Sequence, residues 1–229
     1  MPTAFRRPGP VCGCIRSAPI VLFLFAAAAA SADEAFYVPL DEIRTYARED
    51  YRAEVTECDR LAAHPSDPDA VSEGVSRAAM DLPAAVAACE KAVADDAGNP
   101  RLNYQLARAY GYSGLHEEAA PFRERAVRAG YPQSLFVMGY ILVTGWGGMP
   151  ANPCYGGALI RRSAEAGRYA GLIGFPYYAV KDTFSGCEGL TTNVAELGAM
   201  LDAAEARGAD YYQGLLIDLL RDRIAVMEH

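Results

Sequence analysis

Candidates for chemistry in this chain are four cysteines beyond the N-terminal stretch, three histidines, paired acids such as Asp95–Asp96 and Glu117–Glu118, and one tryptophan. Cys58, Cys89, Cys154 and Cys187 form no CxxC motif and have no histidine at zinc-ligand spacing, so their type and number favour disulfides over a metal. His64 sits in a proline-containing stretch, His116 stands beside Glu117 and Glu118, and His229 is the last residue. The HEEAA segment lacks the second histidine of a zinc-protease helix. A Cys58–His64 nucleophile pair is outweighed by oxidation of Cys58 with another cysteine. Asp95–Asp96 and Glu117–Glu118 are acids at helix ends or first turns, where acids are commonplace; a glycosidase would need two carboxylates facing each other across a cleft. There is no GxSxG, and GWGG has no phosphate-loop lysine. No catalytic residue, metal or cofactor is assigned. Trp146, on a glycine-flanked loop, reads equally as an aromatic platform for a peptide or sugar ring and as a plug between helices.

The elements that must position these residues are helices. Apolar positions from Leu40 to Ala63 recur at helical spacing and predict an amphipathic first helix, followed by a linker over His64–Gly74. A second helix is expected from about Asp81, with Pro83 in its first turn, to Ala92. Arg101–Ser113 and Glu117–Ala129 form the cleanest helix pair, closing on Ala129-Gly130, and Gln133–Thr144 with Cys154–Ala166 closes on Ala166-Gly167. That recurring helix pair is the mark of stacked repeats, which usually bind partners. Gly139, inside a helix, implies close packing. Phe175-Pro176 predicts a kinked or late-starting helix, and Asn193 with Glu196 a capped one ending near Gly208. In the final helix, Tyr211–Met227, Leu215, Leu216, Leu219, Leu220 and Ile224 are expected to face inward, with Tyr211 and Tyr212 packed from core to rim. Pairing Cys58 with Cys89 and Cys154 with Cys187 would tie equivalent levels of neighbouring units; two other connectivities remain open.

Residues 1–32 have the layout of a signal peptide: Arg6, Arg7 and Arg16, an apolar run from Ala18 to Ala30, then Ala30-Ser31-Ala32. Cleavage after Ala32 is expected, which places the chain in the periplasm or outside the cell. The whole chain carries −8; loss of three arginines and no acid makes the mature form −11. That balance argues against nucleic acid and anionic membrane surfaces. The expected organisation is N-terminal helices and linker over 33–98, repeats over 99–208 and a capping helix over 209–229.

Pro100–Tyr131 resembles a tetratricopeptide unit, with Leu106, Ala107, Tyr110, Gly114, Ala119 and Ala126 at that superfamily's characteristic positions. MGYILVTGWGGMP and Asn152–Gly167 resemble the two helices and the loop of its Sel-one-like repeat branch. The resemblance implies an all-α solenoid of antiparallel helix pairs acting as an exported, non-catalytic protein-interaction scaffold, whose first helices line a concave groove. Carried over by position, that groove presents Arg101, Tyr104, Arg108 and Tyr112, a set able to clamp a carboxylate and stack on an apolar group of an extended peptide, with Trp146 beside it. The alternative for these four residues is an ordinary solvated face. The alternative for the protein is a glycan- or β-lactam-related binding protein or enzyme of the cell envelope. Here the chain departs from the cysteine-rich Sel-one-like group linked to β-lactams, whose cysteines are closely paired within each repeat.

Overall fold

Helix boundaries in this protein are set by short-range signals. The computed structural model describes residues 36–190 and 192–227. Among them are nine α-helices and no strand: α1 Glu57–Ala62, α2 Leu82–Asp95, α3 Pro100–Tyr112, α4 His116–Arg128, α5 Pro132–Thr144, α6 Pro153–Glu165, α7 Tyr169–Val180, α8 Val194–Glu205 and α9 Tyr211–Val226. The side chains of Asp81, Asn99, Asn152 and Asn193 accept a backbone N–H in the first turn of the helix each one caps. Asp210 and Gln213 form a reciprocal capping box, as do Thr56 and Asp59. Pro83, Pro100 and Pro153 stand in first turns, where their missing N–H costs nothing.

Consecutive helices from α2 onward pack on one another, and α1 lies across α2 and α3. The most extensive pairing joins α5 and α6, and glycine makes it possible: a Cβ on Gly139 would stand 2.7 Å from the Gly156 carbonyl oxygen and 2.6 Å from Ile160 Cγ1. Buried apolar residues fall into separate clusters. One, containing Cys58, Cys89 and Leu106, lies beneath α1–α4; one, with Val38, Ile43, Leu142 and Leu159, joins residues 38–43 to α4–α6; a third, with Phe175, Leu197 and Ile217, unites α6–α9. The two disulfides are Cys58–Cys89 and Cys154–Cys187, with Cα separations of 4.5 and 5.2 Å. Disulfides of this kind accord with an oxidising compartment. No helix among the described residues is long and apolar enough to cross a membrane. The expected signal segment, 1–32, lies outside the described residues.

Three expectations are corrected. Residues 40–56 do not form a helix; they run as extended chain and two 3₁₀ turns, and α-helix begins only at Glu57. Their backbone is satisfied by distant groups instead. Val38 N–H donates to the Tyr155 hydroxyl, which donates back to Val38 O; Arg44 N–H donates to Arg128 O; Arg101 donates to Arg52 O and Glu54 O. This segment passes so close to Gly130 (φ +71°) that a Cβ there would lie 2.1 Å from Arg44 O, so both the turn and the crossing need glycine. Second, α7 does not start late: it begins at Tyr169 and carries Pro176 within it. Third, α9 turns only Ile217, Leu220 and Ile224 inward; Leu215, Leu216, Leu219, Tyr211 and Tyr212 remain in water.

Candidate functional site

Helix α3 carries Arg101, Tyr104, Arg108 and Tyr112 at spacings that put them on neighbouring faces, and burial separates their fates. Arg101 is 5% exposed and bound to Asp59, itself fully buried: Nε donates to Oδ1 at 2.8 Å and Nη2 to Oδ2 at 3.2 Å. Gln105 and the Thr56 backbone and hydroxyl donate to the same carboxylate. The first turn of α1 and the chain before it therefore cover this end of α3, and Arg101 is a structural residue with no free donor face. Residues 52–59 take the side of α3 where the groove was expected, and with α2 they line a separate cavity of mixed charge that Arg101 borders.

The other three converge. Tyr104, Arg108, Tyr112 and Trp146 line one cleft, floored by Val137 and Ile141 of α5. Arg108 is 7% exposed; Nη1 donates to Ala62 O and Ala63 O and Nη2 to Val75 O, and Nε has no partner among the described residues. It is thus an anchor for the 62–75 chain as well as a wall of the cleft, and not the free clamp expected. Tyr112 has two guanidiniums near its ring, Arg108 at 5.1 Å and Arg77 at 5.0 Å. Tyr104 is buried, its phenol pushed well up by desolvation, and its oxygen accepts from Gln133 Nε2. Trp146, 48% exposed in a 3₁₀ turn after α5, stands at the lip and leaves an open face.

Sequence reasoning missed Arg77 and Arg123, and it named His64 and His116 without bringing them to the cleft, which both line. Arg123 reaches the cleft from α4, and burial alone shifts its guanidinium, downward, with no acid pairing it among the described residues. A signal for it existed: Gly111 lies inside α3, and a Cβ there would stand 2.8 Å from Arg123 Nη2. His64 lines the cleft with its imidazole lowered to about 4 by burial and by Arg108 and Arg168. Its Nδ1 accepts from Ser66 N–H, so at neutral pH the ring is uncharged and its Nε2 is the donor. The cleft has about 100 Å³ of room, and no carboxylate is among its lining groups. A cavity of about 150 Å³ holds benzene, so this one takes a single side chain or end group. Cationic walls in an acidic chain can accommodate an anion, and the aromatic and aliphatic surfaces an apolar group beside it.

No protein-family model, curated protein or solved structure gives a significant match to this chain.

The other chemistry-bearing residues do not gather. Cys58 is bonded to Cys89, which removes it as a nucleophile for His64. Asp95 pairs with Lys91, Asp96 accepts from Asn99, and Glu117 and Glu118 are exposed on α4. Among the described residues no group of three His, Cys, Asp or Glu is arranged to hold a metal ion.

Proposed function

We propose that this protein is an exported, non-catalytic interaction module of tetratricopeptide-like and Sel-one-like helix pairs, and that the cleft between α3 and α5 takes an acidic side chain or terminus from an extended segment of another protein. The observation that carries this reading is the convergence of Tyr104, Arg108, Tyr112 and Trp146 with Arg123 around an acid-free cleft. The succession of helices, each packed on the next with several local cores instead of one, supports the repeat reading. Arg123 supplies the charge, Tyr112 and Trp146 the apolar contact, and Arg108 holds the wall in place.

Trp146 is the sole tryptophan of the chain and lies at the cleft, so its emission reports on this site alone. Titration with short peptides that are acidic, neutral or basic is expected to shift that emission with the acidic set only, more weakly as salt rises. Arg123→Ala is expected to weaken the response at least about tenfold, the size of one lost charge-assisted contact. Arg101 and Arg108 are unsuitable for this test because each is buried and bonded within the fold. Equal response to all three peptide classes, or an Arg123→Ala protein that binds like the parent, would overturn the reading.

A further inference from the structure

Helix α9 is apolar on two sides and covered on one. Ile217, Leu220 and Ile224 are at most 5% exposed, whereas Tyr211, Tyr212, Leu215, Leu219 and Val226 are 50–78% exposed. At 3.6 residues per turn, Tyr212, Leu215, Leu219 and Val226 fall within an arc of about 60°, turned about 140° from the buried row. Asp218, Arg221 and Asp222 occupy the remaining arc. An open aromatic side chain presents 150–250 Å², so Tyr212, about three-quarters exposed, leaves about 150 Å² in water. Leu215, Leu219 and Val226, with Leu216 at the edge, extend the patch to about 500 Å², at the upper end of what a monomer usually exposes. That is about the per-partner area of a small, reversible interface.

We propose that this face is a homodimer interface in which α9 packs antiparallel on α9 of a second copy. The pattern is self-complementary. With the two-fold axis at Leu219, the midpoint of the helix, that residue meets its own copy, Tyr212 lies against Val226 of the partner subunit, and Leu216 follows the methylenes of Arg223 of the partner subunit. Charge at the rim is balanced: Asp222 and Arg223 flank the apolar arc on its two sides, one of each sign, while Arg221 is already paired with Asp202 and Glu205 of α8. The face shares no residue with the α3/α5 cleft, so the two proposals stand or fall separately.

Sedimentation of the purified protein between about 1 and 100 µM tests it, across the range where an interface of this size dissociates. A reversible dimer is expected, retained at high salt because the contact is apolar. Leu219→Glu and Tyr212→Glu are each expected to raise the dissociation constant at least about tenfold. Tyr177→Glu, an exposed aromatic on α7, should leave it unchanged. Circular dichroism checks that the variants are folded, and Leu219→Cys gives an independent readout, since thiols at a two-fold axis oxidise to a covalent dimer. A monomer at every concentration overturns the proposal. So does a dimer indifferent to both α9 substitutions, or a monomer that uses α9 to hold some other protein.

Discussion

The two ends of the described chain bury different chemistry. Around α1–α3 the interior contains a charged pair, Asp59 with Arg101, and a guanidinium, Arg108, spread over three carbonyls. Its disulfide, Cys58–Cys89, is fully enclosed. Around α7–α9 the core cluster is hydrocarbon, bordered by the partly buried Arg161–Glu196 pair; the ion pairs of Arg221 with Asp202 and Glu205 lie on the surface, Cys154 is exposed, and α9 keeps a row of apolar side chains in water. Directional bonds at the first end specify one arrangement of chain segments distant in sequence. Non-directional contact at the other end stabilises the fold without consuming every apolar surface, and this is where a second copy can add.

The contrast is sharpest in the ion pairs. Asp59→Ala leaves the Arg101 guanidinium buried without its carboxylate, and urea unfolding is expected to show a loss of about 3–5 kcal/mol. Arg221→Ala, at the exposed end, should cost under about 1 kcal/mol. Comparable losses at both sites would erase the distinction between the two regions.

The disulfides break the comparison in another way. They close loops of 31 and 33 residues, so chain entropy assigns each about 3–4 kcal/mol. Accessibility does not treat them alike. Graded reduction followed by alkylation and mass spectrometry is expected to label Cys154 and Cys187 first, with Cys58 and Cys89 protected until the fold opens. Simultaneous labelling would mean that the N-terminal half opens as readily as the other.

A last contrast lies within the 64–69 chain, where Asp67 and His64 act in opposite senses. Asp67 donates nothing and accepts from the Tyr131 hydroxyl at 2.7 Å; burial raises its carboxyl from 3.8 to about 6. The folded chain then holds that proton more tightly than the unfolded one, so this group removes stability as pH rises from 3.8 to 6. His64 acts in the opposite sense: lowered from 6.5 to about 4, it binds its proton more tightly when unfolded and adds stability as pH rises from 4 to 6.5. Asp69, also raised by burial, sides with Asp67, while Arg48 faces Asp69, and Arg168 lies near both Asp67 and His64. Thermal melts between pH 4 and 6.5 should therefore show Asp67→Asn gaining more stability with pH than the parent and His64→Gln gaining less. Parallel curves for all three proteins would show that neither group carries the linkage.

The amino-acid sequence by itself determined the all-helical class, most helix limits from α2 onward and the residues available for disulfides. Those features depend on signals within a turn of the chain, such as Asn99 before Pro100, Asp81 before Pro83 and the Ala-Gly closures at Gly130 and Gly167. Four of the five residues expected to form a binding surface do share a cleft, because spacing along α3 is local and Trp146 follows α5 directly. Only the tertiary structure decided that residues 40–56 stay extended, that Arg101 is spent on a carboxylate 42 positions earlier, that Arg123 enters the cleft from α4, and that the leucines of α9 divide between core and water. A periodic apolar pattern states that a face can be buried. What covers it, and which charge meets which, depends on groups brought together from far along the chain, and that information is not carried in any single segment.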